Sequence, residues 1–175
     1  EDYICMEKIL SLIKSAVGTA YKSEPLLSKA LDAVLEAGTC APNGGGHQSA
    51  TIIAITDPRY RREIAKLNAE VMVSNTDPYY GVPVVILVLT DGSATTYVED
   101  GSCILENMML AAHALGREPY GFIGNARFLT TKEQESPGEW KLLETLRGVG
   151  EIALGYPAQE AGQPVARKQN YIVRI

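Results

Sequence analysis

Residues 102–115 are apolar on nearly every side of a helical wheel, interrupted by little more than Glu106, Asn107 and His113. A helix without a polar face has to sit inside a domain, with other elements packed around it. The chain has 175 residues, 46% hydrophobic and 21% charged, which suffices for one sizeable core. A single domain over 1–175 built around that helix is expected.

The flanking patterns supply its neighbours. Met6, Ile9, Leu10, Ile13 and Val17 recur at helical spacing and predict a first helix. Ser23 is placed to cap a second, with Pro25 in its first turn, Gly38 closing it, and a stripe of Leu27, Ala30, Leu31, Val34 and Leu35. The β-branched run 51–55 predicts a strand, and Asp57-Pro58 opens a helix through about Met72. Further strands are expected at 82–90, 149–154 and 171–175. The order predicts an α+β fold, a mixed sheet wrapped by helices with the apolar helix buried behind it. The last strand follows a polar connector, 158–170, long enough to carry it onto a second copy of the chain.

Several function classes fall away. A net charge of −5 argues against a nucleic-acid-binding face. Cys5, Cys40 and Cys103 are odd in number and far apart, unlike a disulfide framework or a zinc knuckle. Cys40 reads as a small buried residue. Two histidines, His47 and His113, exclude a multi-histidine metal site. No apolar stretch nears the roughly 18 residues of a membrane span, and the acidic start, Glu1-Asp2-Tyr3, lacks the basic region of a secretory leader. A reduced, cytoplasmic setting is expected. The run Gly44-Gly45-Gly46 precedes a strand and is no dinucleotide fingerprint.

Six segments carry a resemblance. Residues 35–49 hold Ala41-Pro42-Asn43-Gly44-Gly45-Gly46-His47-Gln48-Ser49 after a helix end, and 66–72 hold Asn68 on the next helix. Tyr79-Tyr80-Gly81-Val82-Pro83 leads into the second strand, and Asp100-Gly101-Ser102 with 107–116 forms the apolar helix. Residues 148–157 end in Leu154-Gly155-Tyr156-Pro157, and Arg167-Lys168 precede the tail. In order and spacing these resemble the FMN-dependent nitroreductases, specifically their short bacterial members.

That resemblance implies a homodimer with two FMN molecules held between subunits. It implies ping-pong transfer of a hydride from NAD(P)H to nitroaromatic or quinone acceptors, with the flavin doing the chemistry and the protein orienting it. It also assigns residues. Pro42, Asn43, Gly44 and Gly46 would form the loop reaching the neighbour's flavin, with Gln48 fixing it. The same stretch is otherwise a plain helix-to-strand turn. Asn68 would meet the flavin's polar edge, or else be an exposed polar residue. Pro119, Tyr120, Gly121 and Phe122 would present backbone amides to flavin N5, or else form a short strand.

For the phosphate, the family's arginine run falls on 15–19, where this chain has Ser-Ala-Val-Gly-Thr. Lys14, Ser15, Arg167 and Lys168 remain to hold it. Losing two or three charge-assisted bonds at about 1.5–3 kcal/mol each would weaken FMN binding severely. A relative that has lost its cofactor and serves as a binding protein is therefore the alternative.

Overall fold

The computed structural model describes residues 2–14, 20–115, 118–120, 145–159 and 164–175, and at 2–6, 14 and 118–120 the backbone alone. Its elements are α1 (Asp2–Lys14), α2 (Ser28–Thr39), a 3-10 turn (Gly44–Gly46), β1 (Ala50–Ile55), α3 (Pro58–Val71), β2 (Val84–Asp91), α4 (Tyr97–Ala114), β3 (Glu118–Tyr120) and β4 (Leu146–Gly155). The fold is α+β.

The four strands lie in the order β1-β2-β4-β3, and every described pairing is antiparallel. Residues 171–175 form no strand within the single chain, so the described sheet is antiparallel throughout. β2 is buried from Val84 to Thr90, so its period-2 alternation separates two cores rather than inside from outside. Val84, Ile86 and Val88 pack with Val34 of α2 and Ile104, Leu105 and Met108 of α4. Val85, Leu87 and Leu89 pack on the other face with Ile64 and Ala65 of α3, and with Tyr79 and Val82. The molecule is thus layered as α2 and α4, sheet, then α3.

Glycines set the closest approaches in this packing. A Cβ on Gly101 would lie 2.6 Å from Val149 Cγ2, and one on Gly38 would lie 2.8 Å from Met108 Cγ. These positions let α4 rest on β4 and α2 rest on α4.

Asp57 caps α3 as expected, its Oδ1 accepting from Arg59 N at 2.8 Å. The second helix begins later than Ser23 suggested: Leu27 is extended (φ −65°, ψ 132°) and the helix starts at Ser28. Proline biases the residue before it away from helix, so the segment around Pro25 stays outside. α4 starts five residues before the apolar run, at Tyr97. Within one chain a stripe of α4 is buried, while Cys103, Met109, Leu110 and Ala111 are half-buried.

Candidate functional site

α2 delivers the chain into the loop 40–49. Gly45 (φ 62°), Gly46 (φ 71°) and Gln48 (φ 50°) all sit in the left-handed region, which glycine adopts without steric cost. Two side chains fix the loop. Asn43 Oδ1 accepts from Gln48 N at 3.0 Å, and Asp100 Oδ1 on α4 accepts from Gly44 N at 2.8 Å. Gly44 is held so closely that a Cβ there would lie 2.1 Å from Thr96 Oγ1. Pro42, Gly45, Gly46, His47 and Gln48 are exposed.

Beneath the loop is a cavity of about 310 Å³. Ile52 of β1 and Ile104 of α4 are among its apolar lining, and Asn43, Gln48, Ser49 and Asp100 among its polar lining. Asp100 is only 4% exposed. Ser49 Oγ is buried with no hydrogen-bond partner among the described residues.

A second polar group lies under α3. Glu151, the one charged residue of β4's apolar half, is fully buried. Its Oε2 accepts from Tyr79 Oη at 2.6 Å and its Oε1 from Asn68 Nδ2 at 2.5 Å. Asn68 Nδ2 also lies 3.2 Å from Tyr79 Oη. Burial pushes the Glu151 carboxyl up to about 7, against the opposing pull of its Tyr79 and Asn68 donors. Burial and the neighbouring carboxyl likewise push Tyr79 far above its ordinary range. The segment carrying Tyr79 is latched nearby: Asp77 pairs with Arg61 and accepts from Tyr79 N and Gly81 N, while Arg61 Nε donates to Val82 O.

The structure thus brings together Pro42, Asn43, Gly44, Gly46 and Gln48, and places Asn68 elsewhere. Asn68 is 2% exposed, and its Nδ2 donates to Glu151 Oε1 and lies beside Tyr79 Oη. Lys14 ends α1, with only its backbone described. Pro119 and Tyr120 lie in β3, paired with Leu154 and Ala153. Ser15, Gly121 and Phe122 fall outside the described residues. Arg167 and Lys168 are on the exposed tail, Arg167 Nη1 donating to Val165 O at 2.9 Å and Lys168 Nζ 4.9 Å from the Tyr171 ring. Cys40, expected to be buried, is exposed.

Three polar residues at these sites escaped the sequence reading: Asp100, Ser49 and Glu151. The available signal was a carboxyl group in an otherwise apolar element, at Asp100 before α4's core stripe and at Glu151 within Gly-Glu-Ile-Ala-Leu. Ser49 gave none.

No family model matches the sequence, and no curated protein matches it. Solved structures do. A nitroreductase with bound FMN from Bacteroides fragilis is 22% identical, with a TM-score of 0.83 covering 96% of this chain and 98% of that one. A nitroreductase with bound FMN from Desulfitobacterium hafniense superposes equally well at 17% identity, TM-score 0.83, over 96% and 98%. An FMN-dependent nitroreductase from Clostridium difficile gives 17% identity and a TM-score of 0.78 over 96% and 99%. With its length matched end to end in each, this chain has the fold of the FMN-dependent nitroreductases.

Proposed function

We propose that the chain is an FMN-dependent oxidoreductase of the nitroreductase family, acting as a cytoplasmic homodimer. The observation that carries this reading is the loop 42–48, exposed and glycine-rich in a fold whose solved representatives hold FMN. The residues present fit such a group. Gly45 and Gly46, without side chains and at positive φ, let a flat ring approach the backbone. Arg167 and Lys168 give two cations for a phosphate. Asp100 keeps the loop in place through Gly44 N. When bound, FMN would take a hydride from NAD(P)H and pass it to an electron-poor acceptor such as a nitroaromatic or a quinone.

Apolar side chains left exposed or half-buried among the described residues support the second copy. Ile9, Leu10 and Ile13 of α1 are 52%, 41% and 49% exposed, and Tyr171, Ile172 and Val173 of the tail 70%, 72% and 77%. The half-buried face of α4 adds to them. Exposed apolar side chains of this kind suit an association site.

Purified protein incubated with FMN and then freed of unbound flavin by gel filtration should be yellow, bleach on anaerobic addition of NADH or NADPH, regain colour with a quinone, and sediment as a dimer. Protein that stays colourless with FMN present would overturn the enzyme reading. It would favour a cofactor-free binding protein, which the absence of arginine from 15–19 keeps in play.

A further inference from the structure

We propose that residues 73–81 form a proton-controlled strap, closed by the docking of Tyr79 on Glu151 and released when that carboxyl ionises. The segment joins α3 to β2. Of residues 71–81 only Tyr79 is buried; Val73 is 95% exposed. The first half spans a gap rather than packing down on the helix. A space of about 360 Å³ is lined by Ala65 and Ala69 of α3 and by Ser74 and Thr76 of the segment. Non-glycine residues in the left-handed region stand near both ends, Val73 (φ 51°) and Tyr80 (φ 52°). That conformation is disfavoured for a β-branched residue such as Val73. Backbone preference there works against closure, and contacts elsewhere have to hold the segment down.

Two of its side chains do so, and they differ in kind. Asp77 pairs with Arg61 and accepts from Tyr79 N and Gly81 N, in a part-exposed position where water can replace it. Tyr79 Oη reaches inward and donates to Glu151 Oε2 at 2.6 Å, while Asn68 Nδ2 donates to Oε1. The inner anchor is therefore a carboxyl held by two neutral donors.

Nothing cationic compensates that carboxyl among the described residues. No Lys, Arg or His there forms an ion pair with Glu151. Its cross-strand neighbour on β2 is Leu87, and Val85, Leu89, Ile64 and Ala65 belong to the same apolar layer. Tyr60 and Tyr21 pack against that layer, whereas Arg59, Arg62, Glu63 and Lys66 of α3 are exposed. A buried charge with neutral partners is costly. Loss of the proton thus penalises the closed strap, and release of Tyr79 relieves the penalty by admitting water. The Tyr79 and Asn68 donors oppose the effect of burial without outweighing it, and the carboxyl sits at about 7. The closed strap holds this proton more tightly than the open one, so closure is firmest in acid and weakens as pH rises through neutrality.

The device stands apart from the cofactor reading and is tested on the chain alone, by NMR hydrogen exchange from about pH 5.5 to 8.5 with rates corrected for base catalysis. The Tyr79 and Gly81 amides should be at least about tenfold less protected than those of the β1–β2 ladder, as expected of a segment that opens by itself. Their protection should fall roughly 10- to 30-fold across the range, the linkage of one such proton. Glu151→Gln keeps the shape and an acceptor without the titration, and should remove the slope. Tyr79→Phe deletes the anchor and should lower strap protection at pH 6 about tenfold, the equivalent of one hydrogen bond. Equal protection of strap and ladder, a slope that survives in Glu151→Gln, or a Tyr79→Phe strap as protected as wild type would overturn the proposal.

Discussion

Two buried polar groups among the described residues differ in one respect. Under α3, Glu151, Tyr79 and Asn68 satisfy one another in a closed set. Under the glycine loop, Ser49 Oγ lines a cavity and has no hydrogen-bond partner among the described residues. Low dielectric strengthens a complete polar network and penalises an incomplete one. The closed set therefore reads as framework, whereas the Ser49 hydroxyl is left with unused hydrogen-bonding capacity among the described residues. Asn68, whose sequence position suggested a polar edge for a ligand or an exposed residue, is buried in this set.

The contrast is broken most severely by taking the acceptor out of the closed set. Glu151→Leu leaves the Tyr79 hydroxyl and the Asn68 amide as buried donors without their carboxyl partner. At about 1–3 kcal/mol for each orphaned donor, the variant should lose about 2–6 kcal/mol by urea denaturation. A loss below 1 kcal/mol would mean that the set contributes no net stability.

Titration probes the same carboxyl more gently. Its value in the fold, about 7, lies above the free-chain 4.5, so the folded protein holds this proton more tightly than the unfolded chain does. Its contribution is full below pH 4.5 and is lost as pH rises to about 7. The difference of about 2.5 units corresponds to at most about 3 kcal/mol. Stability measured across that window should fall with rising pH, and Glu151→Gln should flatten the fall. An unchanged slope in the variant would place the titration elsewhere.

What sequence could and could not give follows from chain separation. The Asp57-Pro58 cap, the run that became β2 and the loop 42–48 are local or periodic, and each was legible. Asp100 meets Gly44 across 56 positions, and Asn68 meets Glu151 across 83; no window of residues contains either pair. The helix start at Ser28 was missed for a smaller reason. Ser23 and Pro25 form a good capping pattern, but Leu27 still lies in the extended region, so a favourable local pattern did not decide where the helix begins. The tail, 171–175, was expected as a strand, and in the single chain it forms none and lies exposed.

The anchoring of the open site can be tested through Gly44. A Cβ at this position would overlap Thr96 Oγ1 at 2.1 Å, so Gly44→Ala has to displace either the loop or the start of α4. Such overpacking costs about 1–3 kcal/mol. Thr96→Ala removes the colliding oxygen, and in the double variant it should restore most of the lost Tm. If the single variant is as stable as wild type, the loop is not seated against α4 as described.

The smallest effects give the sharpest form of the comparison, because one chemical operation is performed at both places. Tyr79→Phe and Ser49→Ala each delete a single buried hydroxyl. At Tyr79 that hydroxyl donates to Glu151 at 2.6 Å, and its loss leaves the carboxyl one donor short, a cost of about 1–2 kcal/mol. At Ser49 the hydroxyl has no partner among the described residues, so its removal relieves an unsatisfied group and stability should hold or rise by a few tenths of a kcal/mol. Thermal melts of the two variants side by side decide the matter. Opposite signs support a closed framework and an open site in one chain. A drop of 1 kcal/mol or more in Ser49→Ala would make Ser49 part of the framework as well, and the distinction between the two regions would collapse.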